Sequence, residues 1–334
     1  MIVIEFLDGQ GLGNQLWVYA AGRSIARKLG YPYFVQNWSK FNGRTFLDLE
    51  HGDSVELQEY LRSVSLGSTP QISIFREKMY FDHNLKYFAT DYDSSVLNLK
   101  PFTKLEGLFQ SEKYFFGNAA LPQQFVRLKE EFSGKQLIPE GCCVLNLRGG
   151  EYKRHKNLIL PKSYWKNAMR NMRDLRGIDN FLVVTDDRRY AKALLPELPV
   201  LDGGIAECYV ALYQAENLIL SNSSFAYFPV KTGGRKSLVI APMLWARFGN
   251  EFRRWASPAN LYDSWHWQDP IGALHDYADC QRLRDITVRY YHDNYIYSVS
   301  KELVTRRALT GYLTPGIRRQ LKKLLSYIAP KQFG

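Results

Sequence analysis

Cysteine is scarce in this chain: Cys142, Cys143, Cys208 and Cys280 are the four among 334 residues, and no two form a C-x-x-C pair. That excludes a disulfide framework and gives no zinc signature. Long apolar runs are also missing, none approaching the roughly 20 residues of a membrane-spanning helix. The opening Met1-Ile-Val-Ile-Glu5 lacks the basic stretch and small-residue cleavage site of a secretory signal. The expectation is a cytoplasmic protein with free thiols. Glycine (24) and proline (14) stay near average usage, and no segment recurs at the periods of roughly 20–50 residues that mark solenoids. Collagen-like, repeat and disordered classes are set aside.

Two common nucleotide fingerprints are absent as well. The run Gly9-Gln-Gly11-Leu-Gly13-Asn14-Gln15-Leu16 fails G-x-G-x-x-G in both registers, because the third glycine would fall on Asn14 or on Leu16, and no G-K-[ST] follows. A nicotinamide cofactor is therefore not expected.

What is present is a globular composition, 46% hydrophobic and 14% aromatic, enough for one large or two ordinary cores. Lys and Arg outnumber Asp and Glu by 44 to 33, a net +11 that favours anionic partners. Residues 301–334 alone carry eight basic side chains against one acid, Glu302. With the excess gathered at one end, nucleic acid is not an expected partner. In that tail Thr314-Pro315 opens a helical pattern, with Ile317, Leu321, Leu324, Leu325 and Ile328 on one side and Arg318, Arg319, Lys322 and Lys323 on others. Two readings stay open: a helix packed on the body, or an amphipathic helix over 312–330 on an anionic membrane surface.

Along the chain, a β-branched run at 2–7 leads through the glycine-rich turn to a helical pattern over 14–29, ended by Gly30. Residues 53–140 show no dominant period. A second series predicts strands at 142–147, 181–185, 218–221 and 238–241, with helices near 164–172 and 206–215. Such alternation implies an α/β chain with parallel, doubly wound sheets. Pro139 and Gly141 punctuate the middle. The expected domains are 1–139 and 140–300, two Rossmann-like halves facing across a cleft that holds the active site, followed by the tail 301–334.

Four segments carry candidate chemistry. The glycine run allows close backbone approach and leads into a helix N-terminus with free N–H groups. Val144-Leu-Asn146-Leu-Arg148-Gly-Gly150-Glu151-Tyr152 sets an arginine at a strand end beside paired glycines, which suits a phosphate clamp; a salt bridge from Arg148 to Glu151 is the plain alternative. Val183-Val-Thr185-Asp186-Asp187 runs a strand into acids where open α/β sheets bind ligands, and either acid could instead cap the next helix. Leu218-Ile-Leu-Ser221-Asn-Ser223-Ser224-Phe225, with Thr232-Gly233-Gly234 after it, ends a strand in hydroxyls that suit phosphate oxygens, or ordinary capping.

Together these residues resemble a family. Gly11-Leu-Gly13-Asn14-Gln15-Leu16 with Tyr19-Ala20-Ala21-Gly22-Arg23 is similar to the G-G-L-G-N-Q-L/M-x-x-Y-A signature of α-1,2-fucosyltransferases. Asn146–Tyr152 resembles their H-x-R-R-G-D-Y box, the strand at 181–187 their F-x-x-x-[ST]-D-D, and 221–234 their N-S-S-F…G-G, all in the family's order. The resemblance implies a GT-B-like enzyme, metal independent, that takes fucose from GDP-fucose with inversion. It implies that Arg148 clamps the β-phosphate, that Ser223, Ser224 and Phe225 line the pyrophosphate and sugar, and that Asp186 faces the guanosine. Asn14 would sit across the cleft near the reacting hydroxyl, with Gly11, Gly13 and Asn146 in the same donor site. The chain departs from the box at Asn146 for His, Gly149 for the second Arg and Glu151 for Asp; related protein O-fucosyltransferases carry H-L-R-x-G-x-D, with one Arg.

Transfer with inversion needs stabilisation of a departing nucleotide diphosphate, for which Arg148 supplies fixed charge, and a group to take the acceptor proton, for which Glu151 is the candidate base or base orienter. Asp91-Tyr-Asp93 has the D-x-D form of metal-dependent transferases but lacks a strand-end context, so no metal is expected. His155 reads as a solvated loop residue. The expected acceptor is an oligosaccharide or lipid-linked glycan, reached at the inner face of the plasma membrane if the tail binds lipid. A same-fold transferase using another nucleotide sugar, or a degenerate non-catalytic sugar-nucleotide or glycan-binding protein, are the competing readings.

Overall fold

The computed structural model describes residues 1–55, 58–59, 62 and 72–294; the tail at 301–334 lies outside them. The N-terminal series begins with β1 (Ile2–Glu5), whose first three side chains are wholly buried. After the glycine-rich turn comes α1 (Leu12–Leu29). It starts two residues earlier than its apolar pattern does, because Gly11 takes the extended cap position and its carbonyl accepts from Gln15 N–H. Gly30, left-handed at φ 69, ends it. β2 (Tyr33–Gln36), β3 (Ser73–Arg76) and β4 (Thr103–Glu106) complete a parallel sheet in the order β2-β1-β4-β3.

The C-terminal series builds a second sheet from β5 (Cys143–Leu147), β6 (Phe181–Thr185), β7 (Asn217–Leu220), β8 (Leu238–Pro242), β9 (His266–Gln268) and β10 (Leu274–His275). Their order is β6-β5-β7-β8-β9-β10, parallel until the last pair. β5, β7 and β8 are buried at every position, as strands covered on both faces must be. The helices between and after them are α2 (Lys162–Arg176), α3 (Arg188–Leu194), α4 (Ile205–Gln214), α5 (Tyr227–Thr232) and α6 (Tyr277–Asn294). The fold is thus α/β with two Rossmann-like, predominantly parallel sheets.

One core joins the two sheets. It runs from Leu16 and Trp17 of α1 to Val144, Tyr209, Leu218, Tyr227, Trp255 and Trp267. Trp17 is the main link: its ring stacks 5.7 Å from Phe115 and 5.7 Å from Tyr262, and lies 4.1 Å from Tyr227. A second cluster, with Leu145, Trp165, Met169, Met172 and Val183, fills the far face of the C-terminal sheet. The thiols are free and buried. Among the described residues no helix is long and apolar enough to cross a membrane.

Each sheet has a point where its winding reverses, between β1 and β4 in the first and between β5 and β7 in the second. In open α/β sheets the crevice beyond the carboxyl ends of such strands is where ligands bind.

Candidate functional site

The two reversal points meet. The turn after β1 feeds α1, and Gly13 in its first turn lies against the backbone of Ser224 and Phe225, which follow β7. A Cβ at Gly13 would stand 2.4 Å from the Ser224 carbonyl carbon and 2.5 Å from Phe225 N. No side chain fits there. Asn14, next along, has an Oδ1 that accepts from Ser224 Oγ at 2.8 Å and from Gln110 Nε2 at 2.7 Å. Gln110 lies just beyond β4, and its own Oε1 accepts from buried Asn260 Nδ2 at 2.9 Å. A chain of neutral amides and hydroxyls therefore ties the strand ends of one sheet to those of the other.

Arg148 stands at the end of β5. Its Nη1 is 2.9 Å from Asp186 Oδ2, its Nη2 is 3.7 Å from Glu151 Oε1, and its guanidinium lies 5.2 Å from the centre of the Tyr152 ring. Its Nε is buried without a hydrogen-bond partner. Nη1 and Nη2 thus both face carboxylates, and Nε is the donor that remains without a partner. The following glycines are required by their neighbours: a Cβ at Gly149 would sit 2.8 Å from both Asp187 Cβ and Tyr190 Cδ1, and one at Gly150 2.2 Å from Asp186 Oδ2. The absence of a second arginine at 149 is built into this packing.

The adjacent acids divide the work that sequence left open between them. Asp187 caps α3, accepting from Tyr190 N–H at 3.0 Å, and pairs with Lys153, whose hydrogen bond holds its carboxyl below the usual range. Asp186 instead turns to Arg148 and accepts from Gly149 N–H at 2.9 Å.

Asn146 is 2% exposed and its Oδ1 accepts from Ser221 Oγ at 3.1 Å, bridging β5 and β7 within the sheet. Tyr152 donates to the Asn222 carbonyl at 3.2 Å, and burial pushes its phenol up to about 12. Ser223 accepts from Phe225 N–H at 3.3 Å, capping the short turn at Ser224–Ala226. The buried Oδ1 of Asn222 has no partner. Glu151 is 72% exposed at its side chain, which faces Arg148. Gly233 and Gly234 lie further along, where Lys236 Nζ donates to the carbonyls of Tyr213 and Ala215 at 2.7 and 2.8 Å and so caps α4. Gly11 is exposed, and a Cβ there would meet nothing within 4 Å, so its missing side chain leaves open space beside the turn.

That space belongs to a cavity of about 620 Å³ lined by Asp8, Gln10, Gly11, Lys40, Asn42 and Arg44 among others. Its far wall, the segment at 39–45, is fastened by the buried Gln15: Nε2 donates to the Lys40 carbonyl at 2.8 Å and Oε1 accepts from Asn42 N–H at 2.9 Å. Neighbouring residues of one motif thus do different things, Asn14 joining the sheets and Gln15 shaping the cavity.

The D-x-D carboxylates have local partners. Asp93 caps the turn at Ser94–Asn98, accepting from Ser95 N–H at 3.0 Å, and lies 3.3 Å from Lys78, while Asp91 is 3.8 Å from Arg284. Among the described residues no group of three or more His, Cys, Asp or Glu is arranged to hold a metal ion. His155 follows the turn at Gly150–Arg154 and is exposed.

Sequence reasoning missed Gln110, Asn260 and Glu77. Glu77 directly follows β3; it is buried, accepts from Leu108 and Phe109 N–H at 2.7 and 2.9 Å, and burial pushes its carboxyl up to about 7. The strands before Glu77 and Gln110 are too short to set a readable period, so none of the three carried a sequence signal.

No family model and no curated protein matches the chain. Among solved structures it is similar to the fucosyltransferase NodZ from Bradyrhizobium, at 15% identity over 68% of this chain and 91% of that one, with a TM-score of 0.41. It is also similar to POFUT1 in complex with GDP-fucose, at 10% identity over 72% and 97%, TM-score 0.40. A third is an Arabidopsis thaliana FUT1 mutant in complex with GDP, at 10% identity over 71% and 70%, TM-score 0.44.

Proposed function

We propose that the protein is a glycosyltransferase that moves L-fucose from GDP-fucose to a hydroxyl of a glycan acceptor, with inversion and without a metal. The acceptor position implied by the sequence resemblance is O-2 of a galactoside. The observation that carries this reading is the meeting of the resembling segments: Asn14 of the first hydrogen-bonds Ser224 of the last at 2.8 Å, and Tyr152 of the second, whose ring Arg148 lies over, donates to Asn222 of the last.

In this reading the acceptor oxygen forms a bond to the anomeric carbon as the bond from that carbon to the β-phosphate breaks. Negative charge grows on the departing diphosphate, and the Arg148 guanidinium meets it. Glu151, close enough to Arg148 to sense it and exposed enough to turn, takes the acceptor proton or orients the group that does. The cavity beside Gly11, lined by amides, hydroxyls and a few charges, is of a size for a small oligosaccharide.

The test is calorimetric titration of GDP, with UDP and CMP as controls, in EDTA. Selective GDP binding is expected, followed by transfer to galactoside acceptors in the same buffer. Binding of UDP in its place, or of none of the three, overturns the assignment.

A further inference from the structure

The carboxylate of Asp186 is wrapped by the turn that carries Arg148. Oδ2 lies 2.9 Å from Arg148 Nη1, Oδ1 accepts from Gly149 N–H at 2.9 Å, and the backbone of Gly150, at φ 22, comes so near that a Cβ there would sit 2.2 Å from Oδ2. One carboxylate thus fixes both the side chain and the backbone of the turn. Its neighbour Asp187 faces the other way and caps α3, so the two acids are not interchangeable. Holding Nη1 from one side sets the plane of the guanidinium, with Tyr152 beneath it. The donor left without a partner is Nε, on the opposite edge.

From this geometry we propose that Asp186 is a positioning residue that acts through Arg148 on the diphosphate, rather than a reader of the nucleotide base. The inference rests on the nucleotide-sugar reading above but concerns a separate question, which part of the ligand Asp186 serves. A base reader discriminates guanine from uracil and leaves diphosphate affinity alone. Loss of a positioning residue weakens every diphosphate equally, because it works through a charge that all of them share.

The experiment is calorimetry of inorganic pyrophosphate, GDP and UDP on the full chain, comparing wild type with Asp186→Asn. The expected result is an equal loss of affinity for pyrophosphate and GDP, about tenfold, the scale of one hydrogen bond to a charged group, with the preference for GDP over UDP unchanged. The double variant Arg148→Ala with Asp186→Asn is expected to bind no more weakly than Arg148→Ala alone. Gly150→Ala displaces the carboxylate while keeping its charge and is expected to give the same equal loss, which keeps the test open if Asp186→Asn fails to fold. A loss confined to GDP, a collapse of the GDP preference, or additive losses in the double variant overturns the proposal. If wild type binds pyrophosphate but not GDP, the guanine-nucleotide reading falls and the positioning role is judged on pyrophosphate; if it binds neither, both fall.

Discussion

The two reversal points are held by different forces. On the N-terminal sheet the fastening is neutral: Asn14, Gln110 and Asn260 pass hydrogen bonds from α1 to the second sheet. On the C-terminal sheet it is charged: Arg148 with Asp186 and Glu151, and Lys153 with Asp187. Neutral amides hold a geometry whatever the salt or pH, while ion pairs respond to both and to an incoming anion. The first region is a frame and the second a clamp, and the chemistry belongs where the clamp meets the frame.

The largest effect is expected from breaking the clamp. Arg148→Ala should lower turnover by about 10²-fold or more, the scale of losing one preorganised donor; turnover within about threefold of wild type, against that same scale, would remove Arg148 from the site. The frame breaks at Gly13. Gly13→Ala puts a methyl against the Ser224 and Phe225 backbone, which should cost about 1–3 kcal/mol and lower Tm. Gly11→Ala, two residues earlier, meets nothing and has an ordinary φ of −65, so its stability should stay within about 0.5 kcal/mol of wild type. Equal melting temperatures for the two variants would mean that close approach at Gly13 is not what joins the sheets.

The smallest effect concerns Glu77, which holds the backbone just before Gln110 of the frame. Glu77 has a folded pKa of about 7 against an ordinary 4.5, so the folded state holds a proton that the unfolded chain has already lost. Its contribution is complete below about pH 4.5 and declines as pH rises through about 7. Glu77→Gln should flatten the fall in urea-unfolding free energy over that window; an unchanged slope would show that Glu77 does not titrate there.

How much of this was legible in the sequence follows from what each element is made of. β1, β5, β7 and β8 were readable because they are short apolar runs bounded by polar or glycine residues, and α1 because its apolar positions keep helical spacing up to Gly30. The glycine, arginine and serine segments were readable as motifs. Residues 72–140 were not, since their strands are two to four residues long and separated by single-turn helices, too brief to establish a period. Asp186 and Asp187 look alike in sequence; only the end of β6, where successive side chains point to opposite sides, tells them apart. Gln110 and Asn260 are single amides 150 positions apart whose meeting depends on the fold. Asn146 entered the donor site through the family resemblance; within β5 its side chain accepts from Ser221, just past the next strand, a pairing that only the fold shows.

The central claim is that the two strand ends form one site. Hydrogen exchange with and without GDP-fucose tests it directly. The account predicts that the ligand slows exchange at 148–152, at 221–225 and also at 11–15 across the junction; slowing on one sheet alone, or at none of these segments, would contradict it.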